Sequence, residues 1–186
     1  MILRKTCFFL IKVFHLFVFF LRGGVPYAKY LGVKIGSGCR IYTFRLGSEP
    51  FLIEIGNRVT ITSGVRILTH DGSTWLFRDE MGRRYKYQKV IIGNNVFVGV
   101  NSIIMPGVII EDKVIVGAGS VVTKSIPSGS IVAGNPAKII GKYDDFEKKA
   151  ISDFFAEKDL DLNLPYKENV LSILDKTPKG YLSENE

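Results

Sequence analysis

Between residues 92 and 127 an aliphatic side chain returns every sixth position without a slip: Ile92, Val98, Ile104, Ile110, Val116 and Val122. Four places after each stands a second small or β-branched residue: Val96, Ser102, Val108, Val114, Ser120 and Ile126. The same phase occurs earlier at Ile35, Ile55, Ile61 and Ile67, with Cys39, Val59 and Val65 four places on. This period matches neither an amphipathic helix nor an alternating strand. A six-residue unit has room for one short strand and one corner, and three units close a triangular coil. One coil cannot bury its apolar side alone, whereas stacked coils bury each aliphatic against those above and below. Gly93, Gly99 and Gly117, each directly after a leading aliphatic, suit corners where backbone conformation or approach is tight. Such fixed-period self-similarity predicts a mainly β chain wound as a parallel β-helix.

The pattern divides the chain into residues 1–29, an N-terminal amphipathic helix and linker; 30–140, the β-helix; and 141–186, a C-terminal helical cap and tail. In residues 2–22, Arg4, Lys5, Lys12, His15 and Arg22 fall on one stripe of a helical wheel and nearly everything else is apolar. Lys12 and His15 speak against a simple membrane-spanning helix, and Gly23-Gly24-Val25-Pro26 is a poor signal-peptide cleavage site. Two readings remain, a helix in a membrane interface with its basic stripe toward headgroups, or one docked on the protein. The tail predicts a helix begun at Asp144 or Asp145, with Phe146, Ala150, Ile151, Phe154 and Phe155 on its apolar face, blunting the end of the coil. The net charge of +7 admits anionic lipid or a phosphorylated ligand. With no dense basic run interleaved with aromatics, nucleic acid is not expected as a partner. Cys7 and Cys39 form no short metal or redox motif, which suits a reducing compartment.

The stretch from Ile92-Gly93-Asn94-Asn95-Val96 through Gly117-Ala118-Gly119-Ser120-Val121-Val122-Thr123-Lys124, then Ile126-Pro127 and Ala133-Gly134-Asn135-Pro136-Ala137, resembles the hexapeptide-repeat acyltransferases. These are the sugar, serine and antibiotic O-acetyltransferases, and the resemblance spans residues 33–140. It implies a left-handed winding, an exception among parallel β crossovers, a homotrimer with active sites at subunit interfaces, and acetyl-CoA as co-substrate, with no metal required. Matching positions assign CoA contacts to Gly99, Val100 and Ala118, and phosphate contacts to Thr123, Lys124 and Lys138.

His70, in Thr69-His70-Asp71-Gly72, ends three hexads just where the period breaks. Residues 73–89 keep no six-residue phase and carry Trp75, Arg78 and Tyr85 among other aromatic and basic side chains, which reads as a loop extruded beside the histidine. The family's catalytic histidine stands at this place. His70 is therefore the candidate general base, since imidazole can take a hydroxyl proton near neutral pH. Asp71 is a candidate to orient the imidazole or to meet the acceptor. Trp75, Arg78 and Tyr85 suit a carbohydrate stacked on a ring. Galactoside- and maltose-type relatives carry an asparagine one coil before the histidine, and none occurs around Tyr42-Thr43.

The γ-type carbonic anhydrases share the architecture but need three histidines on zinc, and the repeat region has one. A nucleotide-sugar pyrophosphorylase needs a further domain for which there is no room. A non-catalytic solenoid scaffold stays open, although it has no use for His70, the loop and Lys124 together. The preferred expectation is acetyl transfer to a sugar hydroxyl of a surface polysaccharide or its lipid-linked precursor. The enzyme would be cytoplasmic, at or near the inner face of the membrane.

Overall fold

In this computed structural model the described residues are 14, 17–161 and 163–175. Arg4, Lys5, Lys12 and His15 of the N-terminal stripe lie outside them. Two compact units divide at Asp145 and Phe146.

Helix α1 (Gly24–Tyr30) leads into β1 (Lys34–Ile35) and β2 (Arg40–Ile41). The next coil holds β3 (Ile53–Ile55), β4 (Thr60–Ile61) and β5 (Arg66–Ile67), followed by a small hairpin of β6 (Arg78–Asp79) and β7 (Gly82–Arg83). Two further coils hold β8 (Val90–Ile92), β9 (Phe97–Val98), β10 (Ile103–Ile104), β11 (Ile109–Ile110), β12 (Ile115–Val116) and β13 (Val121–Val122). Finally come β14 (Ser130–Gly134) and β15 (Ala137–Lys142).

The chain visits three sheets in rotation. One is β1-β3-β8-β11, the second β2-β4-β9-β12-β14-β15, and the third β5-β10-β13. In the regular stretch Ile91 pairs with Ile109, Phe97 with Ile115 and Ile103 with Val121, always in parallel. Each returning strand is therefore three hexads on, as the repeat requires. Every leading aliphatic from Ile92 to Val122 is buried, and so is every second occupant from Val96 to Ile126. Ser102 and Ser120 are tolerated there because both hydroxyls donate to the carbonyl of Gly117, at 3.0 and 2.7 Å.

A polar ladder runs up one corner. The backbone N–H of Ser37 donates to Asn57 Oδ1 (2.9 Å), that of Asn57 to Asn94 Oδ1 (2.8 Å), and that of Asn94 to Asp112 Oδ1 (2.6 Å). Gly36, Gly56 and Gly93 precede these side chains, and a Cβ on Gly56 would come within 2.6 Å of the carbonyl oxygen of Gly93. Glycine is required there by the closeness of neighbouring coils.

Both ends of the stack are covered within this unit. At the start Tyr27 and Ala28 of α1 are buried in the core, and a Cβ on Gly24 would overlap the carbonyl of Ile41. At the finish β15 turns back and pairs antiparallel with β14, occupying the edge that another parallel coil would otherwise take. The expected C-terminal helix does form, as α2 (Tyr143–Asp153), with Asp144 and Asp145 in its first turn. In the second unit the rings of Phe146 and Phe154 meet edge-on at 6.1 Å, and α3 (Tyr166–Ser172) follows. Among the described residues no helix is long and apolar enough to cross a membrane.

Candidate functional site

After β5 the chain leaves the coil. A short 3-10 turn (Gly72–Leu76) and the β6–β7 hairpin form an arm whose two ends are joined beside the coil. Gln88 N donates to Thr69 O (2.8 Å), Asp71 N to Lys86 O (3.0 Å), and His70 bridges antiparallel to Tyr87. The imidazole is thus fixed at the neck of the arm, its ring 6.0 Å from that of Tyr87, which in turn stacks with Tyr85.

His70 Nδ1 lies 2.8 Å from Glu49 Oε2, and that oxygen also accepts from the Thr69 hydroxyl at 2.7 Å. The Glu49 side chain is 18% exposed and that of His70 38%. Burial alone would raise the Glu49 carboxyl, but hydrogen bonds from Thr69 and His70, and attraction to the imidazole, hold it below the ordinary carboxylate range. An ionised carboxylate only accepts hydrogen bonds, so Nδ1 is the nitrogen that carries hydrogen. In the neutral ring Nε2 then carries the lone pair, and it makes no hydrogen bond to the described residues. A base whose orientation and tautomer are set by a carboxylate is what proton abstraction needs.

Asp71 does not orient the imidazole. Its carboxylate accepts from the Ser73 N–H (3.0 Å) and hydroxyl (2.6 Å), and these bonds lower its pKa. The neighbour in sequence points away along an extended chain, whereas the neighbour across coils points in. Glu49 was missed because the first coil is longer than three hexads. Yet the offset that separates Ile35 from Ile55 also leads from Glu49 to Thr69, so the signal was present. Where the sequence offered no asparagine, Thr43 is buried and spends its hydroxyl on Val65 O (2.8 Å).

His70 lines a cavity of about 350 Å³ with Asp71, Lys86, Gln88, Met105, Pro106 and Thr123 among its walls. Asp71 and Thr123 were expected near the site, whereas Lys86 and Gln88 lay hidden in the unphased loop. Gly99, Val100 and Ala118 sit elsewhere. They precede β10 and β13, at the opposite end of those strands from Met105 and Thr123. Lys138 continues their edge, for it pairs with Ala133, which lies against Gly117. Lys124 and Lys138 are exposed and form no ion pair among the described residues. Trp75, Arg78 and Tyr85 are exposed on the arm and do not line the cavity. The guanidinium of Arg83 stacks over Tyr85 at 4.6 Å. One chain therefore brings His70 and Thr123 together and leaves the glycine corner apart.

The hexapeptide repeat of succinyl-transferase matches residues 89–124. The chain is 47% identical to protein CapG of Staphylococcus aureus over 151 residues, which cover 80% of this chain and 86% of that protein. It is 39% identical over 99 residues to the putative lipopolysaccharide biosynthesis O-acetyl transferase WbbJ of Escherichia coli, spanning 49% of this chain and about half, 50%, of that relative. A crystal structure of a hexapeptide-repeat-containing acetyltransferase from Vibrio cholerae superposes with a TM-score of 0.53 at 26% identity, covering 60% of this chain and 63% of that one. The rotation through three parallel sheets, the matched repeats and these likenesses converge, and the chain belongs to the hexapeptide-repeat acetyltransferases.

Proposed function

We propose that this enzyme transfers acetyl from acetyl-CoA to a sugar hydroxyl of a surface polysaccharide or its lipid-linked precursor, with His70 as general base. The observation that carries this reading is the 2.8 Å bond from His70 Nδ1 to Glu49, which leaves Nε2 unbonded among the described residues on a ring lining the cavity. The sugar class is supported by the likeness to a putative lipopolysaccharide O-acetyl transferase.

In this scheme His70 Nε2 takes the hydroxyl proton while the oxygen attacks the thioester carbonyl carbon. Backbone N–H groups or a polar side chain at the subunit interface would stabilise the tetrahedral oxyanion. Collapse breaks the C–S bond, and His70 hands its proton to the departing thiolate, leaving an O-acetyl ester and CoA. Glu49 is a positioning residue that holds the ring and offsets the imidazolium charge while the proton is in transit.

The coil winds left-handed and the enzyme works as a homotrimer. From Val100 to Met105 the extended chain spans about 16 Å, so a second copy facing its glycine corner toward His70 would complete the donor groove. Gly99, Val100 and Ala118 would line the pantetheine arm there. Thr123, Lys124 and Lys138 would meet the phosphates, lysine being a suitable point charge for them. Asp71, Trp75, Arg78 and Tyr85 would face the acceptor, and the reaction would take place at the inner face of the membrane.

Calorimetry of acetyl-CoA binding tests the donor site. Wild type should bind, and Lys124→Ala should weaken CoA more than dephospho-CoA. Equal losses would remove the phosphate role from Lys124, and a folded wild type that binds no acetyl-CoA would defeat the proposed activity. Glu49→Ala should lower kcat about 10–100-fold while leaving the acetyl-CoA Kd in place, with Glu49→Gln intermediate. A loss confined to Kd would show that the carboxylate serves binding instead of the base.

A further inference from the structure

The charge of this protein is not spread along it. Residues 1–48 contain eight Lys and Arg and no Asp or Glu, whereas the remainder contains 17 basic and 18 acidic side chains. The whole positive excess therefore belongs to the segment that precedes Glu49.

The described part of that segment also bares an apolar face. Residues 17–22 are helical, and Gly23 N closes on Phe19 O at 2.9 Å. Val18 and Phe19 pack toward the body of the protein, Phe19 meeting Tyr27 edge-on at 5.5 Å and Phe44 at 6.1 Å. The opposite side holds Phe17, Phe20 and Leu21, which are 59%, 77% and 67% exposed, together with Phe14 at 52%. Helical spacing puts these four on one face. For residues 2–22 the sequence offered a docked helix and a lipid-facing helix as alternatives, and most of that stretch lies outside the described residues. Among the described residues the inward side is packed on the core and the other side is exposed, with Arg22 and Lys29 exposed nearby.

We propose that this face is a membrane-docking surface for a bilayer rich in anionic lipid. The free side chains would enter the headgroup and acyl boundary, and the surrounding cations would meet lipid phosphates. Charge decides between lipid and a second copy. Arg22 and Lys29 flank the face and form no ion pair among the described residues, so a second copy would set like charges together, while an anionic surface neutralises them. The face is fixed to the coil through Phe19, so docking also fixes which way the coil, and the arm with it, stands on the membrane.

The test is flotation of the full-length protein with vesicles of phosphatidylcholine, alone and with phosphatidylglycerol. Wild type should float with the mixed vesicles, lose most binding in high salt, and stay down with phosphatidylcholine alone. Phe17→Ser/Phe20→Ser should reduce flotation by at least about tenfold, and Arg22→Glu/Lys29→Glu should do so with a shallower salt dependence. Unchanged acetyl-CoA binding and an unchanged melting temperature would show that both variants fold. Wild type that floats with neither vesicle, or a double-serine variant that floats as well as wild type, would overturn the proposal. A double-serine variant that instead breaks a larger oligomer, with no change in flotation, would assign the face to a second copy.

Discussion

His70→Ala should lower kcat by about 10²–10⁴-fold and leave the Kd for acetyl-CoA within a factor of about two. The split follows from the site's layout. The imidazole sits at the neck of the arm with one nitrogen spent on Glu49, while of the positions proposed to hold CoA (Gly99, Val100, Ala118, Thr123, Lys124 and Lys138) only Thr123 shares its cavity. Removing the ring takes away the proposed proton acceptor and none of those positions. No tightly bound core depends on it either, because the side chain is 38% exposed. Steady-state kinetics with any acceptor that turns over, together with calorimetry, reads both numbers. Retained kcat would move the base elsewhere, with the cavity residue Lys86 the next group to examine.

Ile104→Ala should cost about 2–5 kcal/mol of folding stability, and Ile103→Ala much less. Ile104 is fully buried, in register with Ile67 below and Val122 above. Its loss leaves a cavity facing two coils, and rigid neighbours on a three-sided stack cannot close around it. Ile103 is the adjacent residue on the same strand and faces outward, half-buried. A difference of this size should appear as a fall of roughly 10 °C in Tm for the inner substitution and a few degrees at most for the outer. Equal losses would mean that the outward face is also buried in solution, which would itself point to a subunit contact.

Much of this was readable from spacing. Ile92 through Val122 announced which side chains point inward, and even Ser102 and Ser120, polar residues in an apolar column, fell in phase because their hydroxyls have a carbonyl to bond. His70 was legible because the period stops there. What stayed hidden depended on contacts that no period encodes. Glu49 reaches His70 across a first coil that departs from the regular hexad count. Lys86 and Gln88 come to the cavity only because the arm folds back. The antiparallel return of β15 onto β14 was also hidden, since its backbone pairing carries no hexad signature. The scaffold alternative falls with membership of an acetyltransferase family.

The joined neck of the arm has a consequence for how such an enzyme can change. Ile67 pairs with Ile104 as squarely as Ile103 pairs with Val121, although a whole hairpin intervenes in the first case and none in the second. The sheets do not register what leaves and re-enters at one point, and the entropy of closing a longer excursion grows only slowly with its length. The arm is thus a replaceable cartridge in a socket formed by Thr69, His70, Lys86 and Gln88. If the arm meets the acceptor as proposed, a new preference could be installed by exchanging the cartridge, while the socket keeps His70 and the coil keeps the fold.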